Sequence, residues 1–320
     1  MLTFSFIIPI KPGGFVAAVE SLRLIAVPAS QFEVLIAEGC SPSRQRNTAV
    51  NEADGEIIYF LDDDSRVSPD CLSLCAQIME DPSVAVVGGP SLTPSGDSLL
   101  QQLFGNALSS LLGAGSVRNR YRAGGVTRST TDKELILCNL AIRRNVFIDA
   151  GGFDERLYPN EENELLDRIV SRSMKLVHAP DMAIHRSQRR TLWLFIRQMF
   201  AYGRGRAQQT LIAGPGTLIG FAPLLFILYL SLLPIIPFTR LTLAPLIAYL
   251  VLALGFSAAA VITSGTLSRL LLVPLYPLMH ISNGWGLLYG LFGGKHGKSR
   301  ACGSSDISIR RIKEFGQATW

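Results

Sequence analysis

Acidic side chains are missing from a long part of this 320-residue chain. From Met182 to Ser305 there is no Asp or Glu. That absence excludes carboxylate chemistry and internal ion-pair networks from the region. Between Thr217 and Gly293 charge of either sign nearly vanishes, Arg240 and Arg269 being the only charged residues. A solvated globular surface does not have such a composition, and the block reads as membrane. Histidine is scarce too: the four are scattered, and His178 and His185 are too far apart for one helical metal face, which excludes a zinc assignment. The five cysteines, Cys40, Cys71, Cys75, Cys138 and Cys302, are odd in number and follow no framework spacing. They read as buried small hydrophobes in a reducing compartment, with Cys71 and Cys75 on one helix face. The opening MLTFSFIIPIKPGG has no basic leader segment and only a short apolar run. It reads as a strand, placing the globular part in the cytoplasm.

What is there, over the first half, is alternation. Short apolar runs at 4–10, 33–37, 56–61 and 84–88 are separated by helical stretches at 14–27, 43–53 and 69–80. Ser41 or Ser43 is a cap for the second of these helices, and Ser68 with Pro69 starts the third. Strands alternating with helices of this length predict an α/β fold with a mostly parallel sheet. Residues 98–113 read as a surface-seeking helix and the basic, Gly-rich stretch that follows as mobile. Strand, helix and turn then return in LILCNLAIRRNVFIDAGGFDE, and NEENELLDRI reads as a helix start capped by Asn160.

The acid-free zone opens with Arg186, Arg189, Arg190, Arg197, Arg204 and Arg206, interleaved with Trp193, Phe195, Phe200 and Tyr202. A basic helix with aromatic neighbours directly before a membrane block fits a headgroup interface better than nucleic acid. Three hydrophobic segments follow, 217–237, 241–263 and 267–292, the last interrupted by Pro274, Pro277, His280 and Asn283. A basic tail carries Lys295, Lys298, Arg300, Arg310, Arg311 and Lys313. Basic flanks favour the cytoplasmic side. With the globular part there as well, an even number of crossings is expected: two spans plus a re-entrant third segment, with three spans and an external tail as the alternative.

The densest chemical signal is IIYFLDDDSRVSPD, three adjacent carboxylates, Asp62, Asp63 and Asp64, at the end of an apolar strand. Ligands bind beyond the carboxyl ends of strands in such sheets. Clustered oxygens there suit Mn²⁺ or Mg²⁺ arriving with a nucleotide diphosphate.

FSFIIPIKP, EVLIAEGCSPSRQRNTAVNEADGEIIYFLDDDS, NLAIRRNVFIDAGGFDE and NEENELLDRI occur in that order. Together, over residues 4–206, they resemble the family 2 glycosyltransferases of GT-A (Rossmann-like) fold. RQMFAYGRGRA and the apolar tail further resemble the membrane-anchored succinoglycan and exopolysaccharide type. The resemblance implies roles. Pro9, Ile10 and Lys11 match the end of the first strand, near the nucleotide. Glu38 takes the place of an Asp that contacts the base, commonly uridine. Arg46 and Asn47 match an Arg-Asn pair near the nucleotide. Asp62 and Asp64 match the DxD, the first near ribose and metal, the second on the metal, with Asp63 between them on the nucleotide side. Glu162 falls on the catalytic base, where family members carry Asp, with Glu161 and Glu164 as alternatives. Arg189, Arg190 and Trp193 approximate an acceptor-side motif.

The implied activity is inverting, metal-dependent transfer of a sugar from a nucleotide-sugar (UDP-sugar) donor to a lipid-linked saccharide at the bilayer, in cell-surface glycan synthesis. No nucleic acid is involved, and the protein is integral to a bacterial-type plasma membrane. The expected domains are a catalytic domain at 1–190, an interfacial segment at 191–213, a transmembrane α-helical region at 214–293 and the basic tail at 294–320. A membrane nucleotidyltransferase and a processive polysaccharide synthase are the alternatives. The first lacks a P-loop pattern after IKPGGF, and the second normally has more spans.

Overall fold

A computed structural model describes residues 1–214, 218–293 and 307–320. Lys295, Lys298, Arg300 and Cys302, and the Thr217 edge of the first hydrophobic segment, lie outside the described residues. The chain divides into two compact units. Met1–Pro94, Asn119–Ser187 and Gly297–Trp320 form the first; Ser95–Arg118 and Gln188–His296 form the second.

The first unit is built on an eight-stranded sheet. Its strands are β1 (Phe4–Ile10), β2 (Phe32–Glu38), β3 (Ile57–Leu61), β4 (Val84–Gly88), β6 (Arg128–Thr130), β7 (Asn139–Arg143), β8 (Lys175–His178) and β10 (Ser308–Lys313), in the order β10-β2-β1-β3-β7-β4-β8-β6. Two short strands, β5 (Ser91–Leu92) and β9 (Ile184–His185), pair separately. Helices α1 (Ala18–Leu22), α2 (Pro42–Glu52), α3 (Cys71–Met79), α6 (Arg144–Asp149) and α7 (Glu161–Val170) complete the unit. Cores lie on both faces, one around Phe6, Tyr59 and Leu72, the other around Phe60, Phe147 and Leu166. That is why β1, β2, β3 and β4 read as predominantly apolar runs, with Ser5 in β1 and Glu33 in β2 as enclosed exceptions.

The sheet is mixed rather than mostly parallel. β1 runs parallel to β2 and β3, and β4 to β8. β7 enters antiparallel between β3 and β4, β6 is antiparallel to β8, and β10 is antiparallel to β2. The expected helix at 14–27 contracts to α1 behind the KPGG turn, and α3 starts after Asp70 instead of at Pro69. Asn160 precedes α7 with φ +91° and makes no side-chain cap; Asn tolerates this left-handed geometry better than most residues. Cys71, Cys75 and Cys138 are buried free thiols, as expected, whereas Cys40 is disulfide-bonded.

Arg310, Arg311 and Lys313, expected in a basic tail, stand in β10 at the edge of the sheet. Arg311 Nε lies 3.1 Å from Oε2 of the fully enclosed Glu33, and its Nη1 lies 2.7 Å from Asp54 Oδ2. Lys313 is buried. Its Nζ donates to the carbonyls of Phe32 at 2.6 Å and Ala29 at 2.8 Å and lies 3.9 Å from the centre of the Phe32 ring. Glu33 and Lys313, the two charges enclosed here, both have partners, as burial requires.

The second unit is helical: α4 (Leu99–Ser109), α5 (Leu111–Ala114), α8 (Leu192–Ala213), α9 (Ala222–Leu232), α10 (Arg240–Ser264) and α11 (Leu272–Phe292). Ser98 and Gln101 form a capping box on α4, whose Phe104 ring stacks on Phe195 of α8 with centroids 4.1 Å apart. The stretch expected to lie on a surface thus belongs to this helical unit.

α8 and α11 cross closely through small residues. A Cβ on Gly203 would meet Asn283 O at 2.0 Å, one on Gly286 would meet Phe200 O at 2.0 Å, and one on Gly290 would meet the Ala207 Cβ at 2.6 Å. This is the small-residue spacing that lets helix backbones touch. α10 is long and apolar enough to cross a membrane, with 25 residues and a mean hydropathy of 2.3 over an 18-residue stretch. The first hydrophobic segment falls short. Its apolar helix, Leu218–Leu232, rises about 22 Å at ~1.5 Å per residue, against a hydrocarbon core of about 30 Å. It ends before the turn at Pro234 and Pro237.

Candidate active site

β3 delivers the three aspartates into a tight turn. Ser65, fully enclosed, closes it: its N–H donates to Asp62 O at 3.1 Å, and its hydroxyl accepts from Asp62 N–H at 3.3 Å. Adjacent carboxylates repel. Partial burial, then the charges of Asp64 and Asp62, push the Asp63 carboxyl above its usual range.

Two arginines supply the opposing charge. Arg46, buried on α2, sets Nη2 3.1 Å from Asp62 Oδ1 and Nη1 3.1 Å from Glu161 Oε1. Arg186, directly after β9, sets Nη2 3.1 Å from Asp62 Oδ2 and Nε 2.5 Å from Asp64 Oδ1. Burial opposes the charge on Arg186, but Asp62 and Asp64 outweigh it and hold the guanidinium protonated. Charges therefore alternate from Asp64 through Arg186, Asp62 and Arg46 to Glu161.

The acids at the start of α7 are sorted by their partners. Burial, then the charge of Glu162, push Glu161 upward against the pull of Arg46. Glu162 faces Arg120, whose Nη1 lies 3.5 Å from Glu162 Oε1. Arg120 is itself anchored on the carbonyls of Asp132 at 2.6 Å and Lys133 at 3.0 Å. Arg168 engages both oxygens of Glu164, at 2.6 and 2.7 Å, and donates to Gly152 O at 2.6 Å. Arg168 thus ties α7 to the turn before it, with Glu164 holding its guanidinium in place.

Pro9 lies in β1 opposite Ala37 of β2, and Lys11 is exposed in the turn that follows. Glu38, ending β2, accepts from Gly13 N–H at 2.9 Å and so orders that turn. Asn47, expected beside a nucleotide, is turned elsewhere. Its Nδ2 donates to Phe153 O and its Oδ1 accepts from Phe153 N–H, both at 2.9 Å. Gly152 makes this possible: its φ is +69°, and a Cβ there would meet Asn47 Oδ1 at 2.8 Å. Asn47 therefore holds the GGF turn. Arg189, Arg190 and Trp193 are exposed around the start of α8 in the second unit, with Arg189 Nε donating to Gln198 Oε1 at 3.2 Å.

Sequence reasoning missed three residues. Gln45 donates from Nε2 to Ile10 O at 2.8 Å and Ala37 O at 2.5 Å, pinning the ends of β1 and β2 together. Arg120 fell in a stretch read as mobile. Arg186 was counted with the interfacial arginines, although the short apolar run before it is a strand signal.

The donor set fits a divalent ion. Asp62 and Asp64 are hard oxygen ligands, and a guanidinium already spans both as a stand-in cation. Among the described residues no group of three or more His, Cys, Asp or Glu side chains is poised to hold a metal. The remaining ligands would be phosphate and water, the usual arrangement for Mg²⁺-type sites.

The model of the family described as "Glycosyl transferase family group 2" matches residues 57–262. The Pyrobaculum calidifontis mannosyltransferase PcManGT, solved with GDP-Man and Mn²⁺, is 15% identical, with 92% of this chain and 88% of that one covered and a TM-score of 0.55. S. aureus TarS 1–349 with UDP-GlcNAc is 14% identical, with 89% and 90% covered and a TM-score of 0.47. Against the longer TarS chain the identity is 15%, the TM-score 0.46 and the coverage 89% of this chain and 54% of that one, so this chain spans about half of TarS. No curated protein matches the chain. At these identities the likeness is one of fold.

Proposed function

The chain belongs to glycosyl transferase family group 2, and from that premise we propose that it moves a sugar from a nucleotide-sugar donor to a lipid-linked saccharide at a membrane surface, with inversion. The observation that carries this reading is the run of alternating charge. It gathers Arg46, Asp62, Asp64, Glu161 and Arg186 from four separate parts of the chain at the carboxyl end of β3.

Asp62 and Asp64 would hold Mn²⁺ or Mg²⁺ beside the donor diphosphate, and the ion supplies Lewis-acid stabilisation of the charge on the leaving group. Pro9, Lys11, Glu38 and Asp63 form the nucleotide side. Glu162 accepts the proton of the acceptor hydroxyl as that oxygen bonds to the anomeric carbon and the bond to the diphosphate breaks. One displacement inverts the centre. Glu161 is the weaker candidate for the base, because it is paired to Arg46 at 3.1 Å. Asn47 acts indirectly in this reading, through the GGF turn. Arg189, Arg190 and Trp193 are assigned to the acceptor side.

A bilayer is the proposed setting of the second unit. Leu241 is 83% exposed, Ile262 82% and Leu218 84%, side chains that lipid would cover. An even number of crossings is part of this reading: the chain leaves the first unit after β9 and belongs to it again in β10. A membrane-held catalyst suits a lipid-linked acceptor, whose reactive sugar lies at the headgroup plane, as in exopolysaccharide assembly.

The test is turnover of a nucleotide-sugar panel by detergent-solubilised protein, with Mn²⁺, with Mg²⁺ and with chelator. Asp64→Ala is expected to lower transfer by about 10²–10³-fold. Glu162→Gln is expected to lower it by about 10²–10⁴-fold while donor binding persists. Metal-independent turnover, or full activity in both variants, overturns the reading.

A further inference from the structure

Arg186 occupies the oxygens that a divalent ion would need. Its guanidinium takes Asp62 Oδ2 at 3.1 Å and Asp64 Oδ1 at 2.5 Å, while Arg46 takes Asp62 Oδ1 at 3.1 Å. The two arginines are held differently. Arg46 is buried and bound at both ends, to Asp62 and to Glu161. Arg186 is a quarter exposed, at 24%, and reaches Asp64, which is 47% exposed. Its backbone is fixed: His185 exchanges two hydrogen bonds with Arg66 at 2.9 Å, and Arg186 N–H donates to Leu92 O at 2.9 Å. The side chain therefore projects from a fixed backbone at the rim of the site, whereas Arg46 is built into its floor.

A divalent ion and a guanidinium cannot share these oxygens at full strength, because both are cations and would lie within van der Waals reach of one another. We propose that Arg186 is an exchangeable internal cation. It neutralises Asp62 and Asp64 while no divalent ion is bound, yields them when the ion arrives with a nucleoside diphosphate, and then pairs its freed guanidinium with that diphosphate. No bond is made or broken in this exchange; one ion pair replaces another. An arginine fork suits phosphate oxygens as well as carboxylate oxygens, and a released Arg186 has no other acid on its own segment, since none occurs between Met182 and Ser305. The inference rests on the metal and donor reading of Asp62 and Asp64.

The exchange has a signature that loss of folding does not produce: two affinities move in opposite directions. Without Arg186 the ion has no competitor, so binding of metal alone tightens. The diphosphate has lost a partner, so binding of nucleotide at saturating metal weakens. The experiment uses the full chain in detergent. Mn²⁺ alone is titrated by loss of the free-ion electron paramagnetic resonance signal, and UDP and GDP are titrated calorimetrically at saturating Mn²⁺. For Arg186→Gln, Mn²⁺ alone is expected to bind about tenfold tighter and the nucleoside diphosphate about tenfold weaker, the scale of one charged hydrogen bond. Arg186→Lys, which keeps the charge and loses the fork, is expected between the variant and the parent on both. Mn²⁺ affinity that is unchanged or weaker in Arg186→Gln, with Mn²⁺ binding lost in Asp64→Ala, overturns the exchange alone. Mn²⁺-dependent nucleotide binding that survives Asp64→Ala overturns the reading beneath it, and the exchange with it.

Discussion

Glu33 in β2 and Gly203 in α8 are both enclosed, but the regions around them achieve enclosure by different means. The first unit encloses charge and answers each charge with another. Glu33 meets Arg311, Glu161 meets Arg46, Glu162 meets Arg120 and Glu164 meets Arg168. The second unit has a single acid in its sequence, Asp97, and cannot use this device. It closes on backbone: Gly203, Gly286 and Gly290 let α8 and α11 approach until carbonyl oxygens stand where side chains would begin. Under the proposed bilayer setting of the second unit, the difference teaches what each unit has to hold together against. In water, apolar burial supplies the driving force, and buried polar pairs add selectivity at a net energy near zero. In lipid, apolar burial between helices supplies little, and close packing carries the association.

The comparison breaks first, if it is wrong, at the helix crossing. Gly286→Val would drive a side chain into Phe200 O and is expected to destabilise the second unit by about 3 kcal/mol or more, read as a fall in thermal midpoint in detergent. An unchanged midpoint would mean that the crossing does not hold the helices together.

In the first unit the corresponding test is Arg311→Ala. Glu33 would keep its hydrogen bonds from Ser5 and from the Asp54 N–H, at 2.6 and 2.7 Å, but lose its cation. The expected cost is about 2 kcal/mol, below that of a fully buried pair because Arg311 is partly solvated. Adding Glu33→Gln should recover most of it. A double variant no better than the single one would show that packing of β10, not charge, is what Arg311 provides.

The smallest effect concerns pH. Burial raises the Glu134 carboxyl, but hydrogen bonds from Thr130 and Asn119, and then Arg128, outweigh it and bring it down to about 2. A carboxylate depressed in this way contributes stability above its unfolded value near 4.5 and loses that stability as pH falls toward 2. Glu134→Gln should flatten the unfolding curve in that window by about 1 kcal/mol, allowing for solvent screening. An equally steep acid limb would assign the acid sensitivity to other carboxylates.

Much of this was legible along the chain. β1, β2, β3 and β4 announce themselves because strands covered on both faces are predominantly apolar, and the aspartates are conspicuous because three of them follow such a run at a strand end. α10 is legible because it is a long helix that carries no charge after Arg240. β7 could be read as a strand, but not its direction. β10 was read as a tail, because its charges satisfy partners that no local pattern reveals.

The sequence by itself determined which segments are buried, where they stop, and which residue types gather beyond β3, since these follow from side-chain polarity and from spacing over a few residues. Only the tertiary structure decided the partners: that Arg186 faces Asp64, that Asn47 serves the GGF turn, and that Arg311 returns to Glu33. A charge fixes the sign of its partner but not its address, and the address is set by which strands lie side by side.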